Sequence, residues 1–60
     1  MFLPSDPDML YSIVNMKLRD QYDSLADLCA DEDIDMPDLL LCLNKAGYDY
    51  DETHNRFIAR

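Results

Sequence analysis

Two proline-marked helix starts constrain the fold of this chain more than any other feature. In Asp6-Pro7-Asp8 and in Asp35-Met36-Pro37, an aspartate stands where its side chain can accept hydrogen bonds from the free N–H groups of a first helical turn. Proline follows within that turn, where its missing donor costs nothing. Between them, Ser24-Leu25-Ala26-Asp27 has the spacing of a capping box, with Asp in place of the usual Glu. Three short helices are therefore predicted before Gly47, the one glycine in the sequence and a natural left-handed stop.

Hydrophobic periodicity assigns the faces. At about 100° per residue, the first helix, running to about Asp20, collects Leu10, Val14, Leu18 and Tyr11 on one side. Asp8, Ser12, Asn15 and Arg19 form its polar face. The second helix carries Leu25, Leu28 and Cys29 inward and ends in Asp31-Glu32-Asp33, after which Ile34 plugs the core at the turn. In the third, Leu39, Leu40, Cys42, Leu43 and Ala46 share the inner side. Both cysteines then read as reduced core thiols.

Beyond Gly47 the period changes. Tyr48 and Tyr50 alternate with Asp49, Asp51 to Asn55 are turn-like, and Arg56-Phe57-Ile58 follows. Two short strands around a loop fit this pattern, with a fourth helix over Glu52 to Ile58 as the alternative. Phe2-Leu3 is a candidate third strand. The fold class is mainly α: one small acidic helical domain over residues 1–60, with helix-turn-helix-like helices two and three and a C-terminal β-hairpin. Tyr48, Tyr50 and Phe57 are placed over the open side of the helical core.

At 48% hydrophobic residues the chain is too apolar for a disordered acidic tail. Five basic against thirteen acidic residues give a net charge of −8, which argues against nucleic acid and anionic membrane as partners. The N-terminal residues lack a basic segment followed by an apolar run, so neither a signal peptide nor a membrane span is expected, and the cytoplasm is the default location.

The string Phe2-Leu3-Pro4-Ser5-Asp6-Pro7-Asp8-Met9-Leu10, then Val14 to Asp20, Tyr22-Asp23-Ser24-Leu25, Leu28-Cys29, Tyr48-Asp49-Tyr50-Asp51 and Asn55-Arg56-Phe57 carry a resemblance. Together they resemble the domain of unknown function 4250 family, small bacterial proteins about this long. The resemblance implies a compact bacterial module and brings no activity, cofactor or partner. The chain departs from that pattern at Asp31-Glu32-Asp33, where the end of helix two often carries Leu-Gly. The departure bears on the shape of this turn and not on the overall fold. Leu25 to Gly47 also looks loosely like the helical subdomain at the N-terminus of bacterial translation initiation factor two, through a spacing shared by any helix-turn-helix with a glycine stop.

Several chemistries are tested and set aside. Asp31, Asp33 and Asp35 occupy positions one, three and five of a calcium loop, but Met36 and Cys42 stand where glycine and a bidentate glutamate are needed. Helix capping and a solvated acidic turn explain them better. Zinc needs about four ligands, and Cys29, Cys42 and His54 lack paired spacing. A cysteine nucleophile needs an exposed, activated thiolate, which no basic neighbour supplies. His54 reads as a solvent-facing loop residue near a carboxylate. The pairs Asp49/Asp51 and Asp31/Asp33 would need a cleft that separates their pKa values. No enzyme activity and no cofactor are expected. As a DNA-reading element, helix three would present Asp38, Leu41, Asn44 and Lys45, a face with too few donors.

What remains is surplus apolar surface. Leu10, Val14 and Leu18 suffice to pack the first helix, so Met9, Ile13 and Met16 form a second strip, displaced by about 100–120°. The hairpin or the Phe2-Leu3 segment could cover it. Leu41 points away from Leu39 and Leu43 and is expected to be exposed. The expected function is a cytoplasmic protein-interaction module using Met9, Ile13, Met16 and Leu41, with a homodimer through the first helix as the simplest assembly. The alternative is a helix-turn-helix-like module associated with nucleic acid or the translation machinery.

Overall fold

A computed structural model describes residues 3–60, in the order α1 (Pro7–Asp20), α2 (Leu25–Glu32), α3 (Met36–Lys45), β1 (Tyr48–Asp51) and β2 (Arg56–Ala59). Each helix begins as its cap residues dictate. The Asp6 carboxylate accepts from the Asp8 N–H at 2.9 Å, the Ser24 hydroxyl from the Asp27 N–H at 3.1 Å, and the Asp35 carboxylate from the Asp38 N–H at 3.5 Å. Pro7 and Pro37 sit in the first turns of α1 and α3.

Leu10, Val14 and Leu18 of α1 meet Leu25, Leu28 and Cys29 of α2, Leu39 and Leu43 of α3, and Phe57 of β2 in one buried cluster. Ile34 packs against its edge from the turn that links α2 to α3 in helix-turn-helix fashion. That turn bends at Asp33, which stands in the left-handed region at φ 57° with its backbone N–H on the Cys29 carbonyl. Aspartate thus holds a corner that glycine makes at lower conformational cost. Gly47 makes the other helix exit at φ 95°, and a Cβ there would meet nothing within 4 Å. The backbone conformation, not space, calls for glycine.

The hairpin reading of residues 48–58 is the one the structure shows, and the fourth-helix alternative is not realised. β1 and β2 pair antiparallel with Tyr48 opposite Ala59 and Tyr50 opposite Phe57. The loop between them is set by Asp51, whose carboxylate accepts from the Thr53 N–H at 3.0 Å. Leu3 lies in no strand and is exposed; Phe2, the other half of the expected third strand, lies outside the described residues.

Two face assignments need correction. Cys42 and Ala46, placed on the inner side of α3, are exposed. The buried arc runs through Leu39 and Leu43 toward half-buried Met36 and Leu40, and Cys42 lies beyond its far edge at about 100° per residue. Asn15, placed on the polar face of α1, is half-buried beneath the hairpin.

Candidate functional site

The two flanks of α1 differ in what covers them. On one flank the hairpin is fixed by aromatic and amide contacts. Tyr11 stacks on Tyr48 with ring centroids 4.1 Å apart, and the Tyr48 hydroxyl donates to Asp8 at 2.6 Å. The Asn15 side chain completes the inner edge of β2. Its Nδ2 donates to the Phe57 carbonyl at 2.9 Å and its Oδ1 accepts from the Phe57 N–H at 2.7 Å. One amide therefore mimics a neighbouring strand.

Asn55 closes the same flank from the loop. It adopts φ 52°, and its Nδ2 donates to the carbonyls of Tyr22 at 2.9 Å and Leu18 at 3.3 Å, two acceptors that the end of α1 leaves open. Its Oδ1 accepts from the Tyr50 hydroxyl at 2.6 Å, and that hydroxyl oxygen accepts the Leu25 N–H at 3.2 Å. This chain joins α1, α2 and the hairpin.

Among the described residues, the other flank is open. Met9 and Met16 are 53% and 49% exposed, while Ile13 between them is half-buried. The hairpin packs on the Tyr11 and Asn15 side, and Met16 borders, with Asn15, Asn55 and Arg56, an open cleft between α1 and the hairpin loop. Leu41, 55% exposed as expected, lies elsewhere: with Ser5, Pro7, Asp38, Cys42, Lys45 and Ala46 it lines a shallow groove of about 500 Å³. None of the α1 strip residues lines that groove, so the four candidate residues make two patches. The exposed residues of α3 are Pro37, Asp38, Leu41, Cys42 and Lys45, with Asn44 half-buried. The wall contributed by Ser5 and Pro7 has no periodic signal in the sequence.

Several acidic groups and the buried Cys29 thiol serve the fold. Asp31 accepts from the Tyr22 hydroxyl at 2.5 Å, Asp33 forms the left-handed corner, and Asp35 caps α3. Glu32 accepts from the Tyr22 hydroxyl at 3.0 Å and from Lys17 Nζ at 3.2 Å, which hold its carboxyl below the usual range. Asp49 pairs with Arg60 at 2.9 Å. The carboxylate that His54 meets is Asp51, at 2.7 Å, and this contact lowers the Asp51 pKa. Burial, with Asp35 nearby, pushes the Cys29 thiol up, away from the nucleophilic thiolate. Among the described residues, no three His, Cys, Asp or Glu side chains converge as metal ligands, and no helix is long and apolar enough to cross a membrane.

No curated protein and no solved structure matches the chain. Residues 4–57, including both flanks of α1, the α3 groove and the hairpin through Phe57, match the domain of unknown function DUF4250, and the chain therefore belongs to that family.

Proposed function

We propose that this chain is a small cytoplasmic protein-interaction module, not an enzyme, that docks a partner protein on the open flank of α1. The observation that carries the reading is the exposure of Met9 and Met16, 53% and 49%, on a helix whose opposite face is buried and whose other flank is covered. A domain of this size buries only about 60% of its unfolded surface, so apolar side chains left outside forfeit stability it could use. Methionine is flexible and polarizable, properties that suit a surface adapting to a partner. The net charge of −8 favours a partner that is neutral or basic around its apolar contact. Engagement of the paired carboxylates in caps, turns and ion pairs supports binding over catalysis.

The test places a photo-reactive methionine analogue at position 9 or 16, or at exposed Thr53 as a reference, in cells that make the protein. One protein is expected to cross-link from positions 9 and 16 and not from 53; the cross-link from position 9 should be lost when Met16→Glu is added, and that from position 16 when Met9→Glu is added, in variants that melt like wild type. Equal labelling from all three positions, or none, overturns the reading. The acidic surface should also leave duplex DNA unbound near physiological salt. Micromolar, salt-sensitive binding in an anisotropy titration would favour the nucleic-acid alternative.

A further inference from the structure

The exposed face of α3 is self-complementary in charge, and we infer that it is a weak homodimer interface in which two α3 helices pack antiparallel about a two-fold axis between Leu41 and Cys42. The inference goes beyond the α1 reading and rests on different residues. Asp38 and Lys45 lie at opposite ends of one exposed face, seven residues or about 10 Å apart. Neither side chain has a partner among the described residues. A two-fold axis midway between them sets Asp38 of each copy against Lys45 of the other, because an isologous interface repeats every contact in reverse. The antiparallel arrangement also opposes the two helix dipoles favourably.

The same axis fixes the centre of the contact. Leu41, 55% exposed, meets Leu41 of the second copy, and Cys42 meets Cys42. At an interaxial distance of about 8–10 Å, the two Cys42 Cα atoms fall about 6 Å apart, within disulfide reach. Ser5 and Pro7 form the groove wall beside this seam. The α1 strip has no equivalent arrangement, since the cations of that helix are already held, Lys17 by Glu32 and Arg19 by Asp20. This seam is distinct from the first-helix homodimer expected from sequence. The overall charge of −8 opposes self-association, so the dimer is expected only at high protein concentration.

Charge reversal tests this directly. By sedimentation equilibrium, Asp38→Lys and Lys45→Asp should each weaken self-association at least tenfold, since each places like charges across the axis. Mixed together, the two variants should associate, because every pair is restored. Their net charges are −8 + 2 = −6 and −8 − 2 = −10, so bulk attraction cannot explain such mixing. Diamide, which takes up two electrons and two protons from a thiol pair, should link wild type through Cys42 into a covalent dimer that Cys42→Ser abolishes. Melting curves of the variants check that each folds, as expected for exposed positions. A wild-type monomer at millimolar concentration overturns the proposal, as does self-association indifferent to both reversals. Neither result alters the photo-cross-linking expected at positions 9 and 16, so the two readings fail separately.

Discussion

On one flank of α1, Tyr11 and Asn15 lie under the hairpin; on the other, Met9 and Met16 face solvent. Polarity alone assigns these flanks the other way round. The covered flank is the polar one because β2 brings backbone groups that need partners, and an amide supplies both a donor and an acceptor where a methionine supplies neither. The open flank is apolar, and no described element covers it. A hydrophobic arc wider than one core requires thus leaves apolar surface that the described elements do not cover, while a single asparagine beside the arc marks where the last element docks.

The largest effect is expected at Asn55. Asn55→Ala removes the donors to Leu18 and Tyr22 and the acceptor for Tyr50, and leaves alanine at φ 52°. Lost hydrogen bonds to partly buried groups and left-handed strain together cost about 3 kcal/mol. That is most of the stability expected of a core this small, about 3–5 kcal/mol, so circular dichroism should show the variant largely unfolded by about 40 °C. Asn55→Gly keeps the strain low and should cost about 1 kcal/mol less. Equal losses in both variants would mean that the side-chain contacts carry the whole effect. Asn15→Ala strands the Phe57 N–H and C=O, at about 2 kcal/mol, or a fall in Tm of about 8–16 °C.

Elements and core were legible in the sequence because caps and periodicity are local. Asp6, Ser24, Asp35 and Gly47 mark the helix ends, and Leu10, Val14, Leu18, Leu39 and Leu43 are buried as their spacing requires. The hairpin was legible from the alternation of Tyr48 and Tyr50. Its docking side was not, since that depends on which half of α1 offers Tyr48 a stacking partner and Phe57 an amide. The Asn15 position, next to Tyr11 on the helix surface, was the available signal. Cys42 lies outside the buried arc because Leu39 and Leu43 alone centre it, about 60° and 100° away at about 100° per residue; Leu41 on the same helix is exposed as its position requires. The α3 groove wall depends on where the segment before α1 runs, which no helical period records.

Titration separates the covered flank from the α1–α2 contact. Glu32 and Asp51 have folded pKa values below their ordinary ones, so the stability they add is present above about pH 4 and lost as pH falls through the folded values. Tyr22 beside Asp31 and Glu32, and Tyr48 beside Asp8, have raised values. Their contribution is complete below the unfolded tyrosine value near 10 and disappears as pH rises through the folded ones. Tm should therefore fall at both extremes. Tyr48→Phe should flatten the alkaline limb, while Tyr22→Phe should flatten both limbs, since Tyr22 also donates to Glu32. An alkaline limb unchanged by both substitutions would show that neither tyrosine hydroxyl contributes to the pH dependence.

A smaller effect, of opposite sign, is expected at the other left-handed residue. Asp33 has no side-chain hydrogen bond among the described residues, so Asp33→Gly should relieve backbone strain and raise stability by about 0.5–1 kcal/mol. A loss on thermal melting would show that the aspartate side chain supports the corner, as Asn55 does in the hairpin loop.

The contrast between the flanks is tested most directly by melting two variants of α1 side by side. Met9→Glu/Met16→Glu adds two charges to the apolar flank yet should change stability by no more than about 0.5 kcal/mol, since both side chains are about half exposed. Asn15→Ala, a change toward greater helix propensity on the polar flank, should lower Tm by about 8–16 °C. The reverse order, a glutamate pair that unfolds the domain and an alanine that leaves it intact, would contradict the assignment of the methionine flank to binding and the asparagine flank to the fold.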